Sequence, residues 1–317
     1  MDNKHNISFS HDKFFKLLLS DKQNAVELIQ NTLPKKILKH IDLETLTKID
    51  TQYVNKNLQI SFADVLYTCK YKNSDLNIAF LFEHKSTIVE MPHLQMLGYM
   101  LANWQEQQKN NEQLTPIIPY VFYHGTQKWI KRDFFEYFNR ADKILKKFIP
   151  EFEYLLFDTS EFANEDIVKL FRNMPMQIGV FLMKNIFDSQ SMLENLELFA
   201  AGLQQPGPKQ MHLNWLKSFI LYLLSNIDVE PQIIIQKMET ISHTAARTFK
   251  SAAEQLFEQG LQQGIQQGLQ QGVREGLKQA ALQLLAYGMP TEEVAKILNL
   301  PVEVVNEIKD QNRGTKA

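Results

Sequence analysis

Residues 60 to 85 hold two apolar runs separated by a short polar gap. ISFADVLYTC (60–69) and LNIAFLFEHK (76–85) have strand length and are rich in Ile, Val, Phe and Leu, with the turn-prone KNSD (72–75) between them. That pattern predicts a β-hairpin within a core. Before it, residues 11–33 read as one helix, starting after Ser10 with Asp12 as a candidate cap and stopping ahead of Pro34. LTKIDTQYV (46–54) reads as a first strand. After the hairpin, MPHLQMLGYMLANWQEQQK (91–109) has Pro92 at a helix start and Leu94, Leu97, Met100, Leu101 and Trp104 at helical spacing.

PIIPYVFYHG (116–125) and FEYLLFDTS (152–160) then read as strands, and helical patterns follow to about residue 228. Between those strands, 128–148 reads as a basic helical segment with aromatics interleaved. It is either a solvated face or a phosphate-backbone patch. The order predicts an α/β (mixed α+β) fold, a short central mixed sheet flanked by helices, followed by an all-helical carboxy-terminal region. Gln204-Gln205-Pro206-Gly207-Pro208 marks the best internal break. The expected domains are a core at 1–203, a helical connector at 204–257, a repeat at 258–277 and a small helical tail at 278–317.

The repeat reads EQGLQQGIQQGLQQGVREGL, with glycines at 260, 264, 268, 272 and 276, each followed by an aliphatic residue. Five glycines would cost an isolated helix roughly 4–5 kcal/mol relative to alanine, so the segment is either a flexible linker or a helix that associates with a partner. Beyond it, AALQLLAYGMPTEEVAKILNLPVEVVNEIKD (280–310) predicts three short helices, with Thr291 capping the middle one above a stripe of Val294, Ala295 and Leu298. The pattern is helix-turn-helix-like. Glu303, Glu307 and Asp310 against Lys309 alone in the last helix disfavour a transcription factor that reads DNA with it.

Composition narrows the classes little. At 317 residues, 44% apolar and 22% charged, the chain can bury a full core, and a net charge of −2 gives no global pull toward nucleic acid. The single Cys69 excludes an internal disulfide framework and a cysteine zinc site. With a polar amino terminus and no apolar run of membrane length, the expectation is a cytoplasmic protein without a membrane partner.

The chemistry sits in the hairpin. Asp64, Glu83 and Lys85 are charges inside apolar runs, and burying them is costly unless they pair or bind something. Glu83 and Lys85 are two apart and share a strand face, and an antiparallel neighbour could bring Asp64 beside them. Two carboxylates and an amine suit a hard divalent cation with a positioned water. Gln95 and Tyr99 are four apart on one face of the next helix. Asp12 is a cap or a further acid near the metal, and Glu27 is a weaker candidate for that second role.

In sequence order, HDKFFKLLL, FADVLY, FLFEHKS, QMLGYM and PIIPYVFYHG resemble the Rpn family of recombination-promoting nucleases, also labelled YhgA-like transposases, of the PD-(D/E)xK superfamily. The resemblance spans about residues 8–200. It implies a restriction-endonuclease-like core and a Mg²⁺-dependent endodeoxyribonuclease that acts on DNA, with Mn²⁺ or Ca²⁺ as possible substitutes in vitro. Asp64, Glu83 and the backbone carbonyl of His84 would then hold the metal, with Asp12 as an additional acid. Lys85 would orient the attacking water, and Gln95 and Tyr99 would steady the site. The tail would make the protein a homo-oligomer. The competing reading is a non-catalytic oligomeric regulator that binds DNA or protein through the same fold.

Overall fold

The computed structural model describes residues 9–49, 65–72, 77–138, 140–203 and 209–314. They fall into two compact units, Met1–Ala253 and Glu254–Ala317. Unit 1 is built on a five-stranded sheet in the order β1-β2-β3-β4-β5, formed by Ile41–Ile49, Val65–Tyr71, Asn77–Lys85, Ile117–Tyr123 and Leu155–Asp158. β1, β2 and β3 pair antiparallel, whereas β3–β4 and β4–β5 are parallel. The sheet is mixed, as the sequence predicts. β1 starts five residues before the predicted strand, and residues 50–54 of that prediction lie outside the described residues.

β3 is central because its apolar run serves two faces, and all but its two end residues are buried. Helix α4 (Pro92–Lys109) connects the parallel pair β3 and β4 and covers one face. There Tyr99 and Met100 pack with Leu66, Ala79, Leu81 and Ile117, and Met96 packs with Val121 and Tyr123. The buried side of α4 is Pro92, His93, Met96, Tyr99 and Met100, while Leu94 and Leu101 are exposed. Its inward stripe is therefore displaced from the aliphatic spacing read in the sequence.

The opposite face is covered from the amino terminus. The predicted helix over 11–33 is two helices, α1 (His11–Leu18) and α2 (Lys22–Thr32). Asp21 interrupts them by accepting the Gln23 N–H, and the Asn24 amide donates to the Leu18 carbonyl, so local side-chain bonds replace helical ones at the break. Ser10, not Asp12, caps α1, accepting the Lys13 N–H at 3.3 Å. The Phe15 ring lies 5.1 Å from that of Phe122, the Tyr67 hydroxyl donates to the Leu19 carbonyl, and the Tyr120 hydroxyl donates to Thr32. These contacts fix α1 and α2 to the sheet.

Residues 128–148 are not the helix that the basic pattern suggests but two short 3-10 turns, Phe134–Tyr137 and Lys143–Phe148. Anchors to the sheet override periodicity here. The Trp129 N–H donates to the Asp158 carboxylate and its indole donates to Tyr154. A Cβ on Gly125 would run into the Tyr123 ring, so only glycine lets the chain turn at this strand end. Helices α3 (Lys35–Leu38), α5 (Asn164–Leu170), α6 (Met174–Asn185), α7 (Ser189–Glu194), α8 (Leu196–Leu203), α9 (Lys209–Asn226) and α10 (Pro231–Ile241) complete unit 1 up to the start of α11 (His243–Ala286). In unit 2 the Gln/Gly repeat is helical throughout, within α11. α12 (Thr291–Leu298) and α13 (Val302–Gly314) fold back on it around Ala281, Val294, Ala295, Val305 and Ile308. Thr291 is the first helical residue of α12 and is buried; Pro290 occupies the cap position without a side-chain bond. Among the described residues no helix is long and apolar enough to cross a membrane.

Candidate active site

Strand alternation places Glu83 and Lys85 on the α4 face of β3, and their side chains meet. Lys85 Nζ donates to Glu83 Oε1 at 2.7 Å, and the same oxygen accepts Gln95 Nε2 from α4 at 2.8 Å. Gln95 Nε2 also reaches the Tyr99 hydroxyl. Four of the residues singled out in the sequence thus form one bonded cluster at the carboxy end of β3. The spacing of Gln95 and Tyr99 is what allows both to contribute from one helical face.

Glu83 is only 4% exposed, and its second oxygen, Oε2, is buried with no hydrogen-bond partner among the described residues. Burial raises the Glu83 pKa above the ordinary carboxylate value and outweighs the opposing effect of the Lys85 ammonium. Such a carboxylate has one oxygen held by two donors and one without a hydrogen-bond partner among the described residues, a hard oxygen of the type that fits Mg²⁺. Among the described residues no group of three His, Cys, Asp or Glu side chains comes together to hold a metal. Asp64 lies outside the described residues; its neighbour Val65 pairs with Phe82, the residue before Glu83.

Asp12 and Lys16 form an i,i+4 ion pair of 3.0 Å on α1, near enough for both charges to act on Glu83. The four-residue spacing of Lys16 from Asp12 is the sequence signal for this pair. Glu27 is committed elsewhere. Both its oxygens accept the backbone N–H groups of Arg172 and Asn173 at 2.9–3.2 Å, at the start of α6.

His84 points to the other face, where the sequence reading considered only its carbonyl. Its ring stacks on His124 with centroids 4.8 Å apart, and His11 lies 5.1 Å from His124. The His11 ring bonds the Tyr222 hydroxyl, and His124 Nδ1 bonds the Met183 carbonyl. Burial holds His84 neutral, with its pKa lowered to about 3, and pushes His124 well below the ordinary histidine value. The alternation of β3 was the signal that His84 would face away from Glu83.

The basic segment is partly neutralised within the chain. Lys128 pairs with Glu161 at 2.9 Å, Lys146 with Glu151 at 3.1 Å and Lys131 with Glu153 at 4.0 Å.

A mixed α/β domain with acid, lysine and glutamine joined at one strand end is consistent with the PD-(D/E)xK pattern expected from the sequence. The chain belongs to the family described as "Putative transposase, YhgA-like", which matches residues 9–212. It is 30% identical over 125 residues to recombination-promoting nuclease RpnA of Escherichia coli K12, covering 39% of this chain and 43% of that protein. It is 28% identical over 119 residues to inactive recombination-promoting nuclease-like protein RpnE of the same strain, covering 37% and 40%. Over 122 residues it is 27% identical to recombination-promoting nuclease RpnD of Escherichia coli O157:H7, covering 38% and 47%. The chain thus spans under half the length of these curated relatives. No solved structure matches it.

Proposed function

We propose that this protein is a Mg²⁺-dependent DNA endonuclease that hydrolyses phosphodiester bonds and acts in DNA recombination or mobility. The observation that carries the reading is the Glu83 carboxylate, buried, held on one oxygen by Lys85 and Gln95, with Oε2 without a hydrogen-bond partner among the described residues. A buried carboxylate kept in this state costs stability and is what a hard cation requires. The nuclease names of the RpnA and RpnD relatives support the same reading.

Glu83 Oε2 would ligate the metal, with Asp64, one residue before β2, as the second carboxylate and the His84 carbonyl beside it; Asp12 is the nearest further acid on α1. When bound, Mg²⁺ supplies positive charge to the scissile phosphate and lowers the pKa of a water. Lys85, fixed by Glu83, holds an ammonium beside the carboxylate. There it orients the attacking water and stabilises charge developing on the phosphate. Gln95 keeps the Glu83 oxygen in place, and Tyr99 keeps Gln95 in place. Lys16 adds a second cation close to the site, suited to a phosphate oxygen.

The RpnE relative, named inactive, gives the competing regulator a specific basis. Incubation of the protein with supercoiled plasmid in Mg²⁺ and in EDTA separates the two. Nicking in Mg²⁺ alone is the expected result. Plasmid that stays supercoiled in Mg²⁺ or Mn²⁺, while still being bound, would establish the regulator instead.

A further inference from the structure

Residues 138–148 present apolar and charged side chains to solvent together. Phe138 is 41% exposed, and in the 3-10 turn Lys143–Phe148 the exposures of Ile144, Leu145 and Phe148 are 69%, 48% and 73%. Residues three apart eclipse in such a turn, so Leu145 and Phe148 share one edge and Lys143 and Lys146 another. Lys147 Nζ lies 5.1 Å from the centroid of the Phe148 ring. The fold leaves this apolar surface in water, interleaved with lysines.

The charges around the turn are unequal. Arg140, Lys143, Lys146 and Lys147 stand against Asp142 and Glu151. Glu151 is taken up by Lys146, and Asp142 accepts the Ile144 N–H. Arg140, Lys143 and Lys147 have no ion-pair partner among the described residues. Further out, Lys131, Arg132, Asp133, Glu136 and Glu153 offset one another to within one charge, and Lys128 is paired with Glu161. The positive excess is therefore local to the turn that carries Phe148.

The turn belongs to the layer that holds the candidate site. Val121, the β4 partner of Glu83, packs with Met96 of α4 and with Trp129 and Tyr154, which flank the segment. Phe134, Tyr137, Phe152 and Tyr154 pack on the buried His93 ring, two residues before Gln95 on α4. Phe148 is four residues from Phe152, at most about 14 Å of chain. Its ring is thus within several nucleotides of a DNA strand held at Glu83.

We propose that this turn stacks unpaired bases, so that DNA opened near the cut is the preferred substrate of the nuclease proposed above, a reading on which this inference rests. In a paired duplex the base faces are turned inward and phosphates line the outside, so lysines alone would serve. Exposed rings and aliphatic side chains between lysines match a strand whose bases are turned out beside its phosphates. The turn selects no particular base, because every base has a face to stack.

Fluorescence anisotropy of the full chain with labelled DNA in EDTA tests this without cleavage. The probes are oligothymidylate, a fully paired duplex and the same duplex with a central mismatched bubble. Wild type binds oligothymidylate and the bubble on the order of ten-fold more tightly than the paired duplex. Phe148→Ala, an exposed substitution, weakens binding of those two about five-fold or more, the effect of losing one stacked base, and leaves the paired duplex unchanged. Lys143→Ser/Lys147→Ser weakens binding of all the probes and flattens its salt dependence. Equal affinity of wild type for bubble and paired duplex overturns the proposal, as does a Phe148→Ala protein that binds the bubble like wild type. Flotation with phosphatidylserine vesicles that Phe148→Ala abolishes, without a preference among the DNA probes, overturns it in favour of a membrane surface. A bubble preference lost in Phe148→Ala, in a protein that cuts no DNA in Mg²⁺, upholds the stacking turn and refutes the nuclease reading alone.

Discussion

At the residue scale, Glu83 and His84 sit back to back on β3, and Glu83 and the His84–His124 pair pull stability in different directions. Glu83 carries a raised pKa, so the fold favours its neutral form and its ionisation at neutral pH costs stability. Replacing it with Gln removes that cost. We expect Glu83→Gln to melt no lower than wild type at pH 7 without metal, and higher by up to a few degrees, about the shift of a 1 kcal/mol change. Mg²⁺ should raise the wild-type melting temperature and leave the variant unmoved; scanning calorimetry reads both.

The histidines work the other way. His84 and His124 are neutral in the fold and titrate near their ordinary value of 6.5 when unfolded. Their contribution is therefore complete above pH 6.5 and is lost as pH falls below it, toward the folded-state value of about 3 for His84. Each should remove roughly 1.4 kcal/mol per pH unit in that window. Urea unfolding at pH 7.5, 6 and 5 should show a shallower decline for His124→Phe than for wild type; parallel declines would contradict the neutral pair.

At the element scale, much of unit 1 was legible. The hairpin, α4 and the strand after it were given by apolar run length, a strand-forming composition and Pro92 at a helix start. Glu83, Lys85, Gln95 and Tyr99 could be placed together because periods of two and about four fix which residues share a face. What was not legible depended on particular side-chain hydrogen bonds, some local and some distant in sequence. Asp21 and Asn24 divide the first helix through local side-chain bonds. Trp129 and Asp158 impose an irregular path where the basic residues alone suggested a helix. The commitment of Glu27 could not be foreseen, since its partners lie some 145 residues away. That commitment gives a prediction: Glu27→Ala leaves the Arg172 and Asn173 N–H groups without their acceptor and should cost about 2–3 kcal/mol in thermal or urea unfolding. DNA cleavage by the folded fraction should be unchanged; a loss of cleavage without loss of stability would make Glu27 an acid of the site.

At the scale of the whole molecule, the carboxylate cluster lies in unit 1, and unit 2 carries the exposed Gln/Gly repeat of α11. The carboxy-terminal helices are built around Ala281, Val294 and Val305, and their acidic outer residues suit a structural part rather than a DNA reader.

The central claim is that Glu83, held by Lys85 and Gln95, is the heart of a phosphodiesterase site. Single-turnover cleavage of a labelled DNA duplex in Mg²⁺ tests it most directly, comparing wild type with Glu83→Gln and Lys85→Ala after both variants are shown to be folded. The account predicts a fall in rate on the order of 10²–10³-fold for each variant, the scale of losing a group that stabilises transition-state charge. Equal rates for wild type and either variant would contradict it.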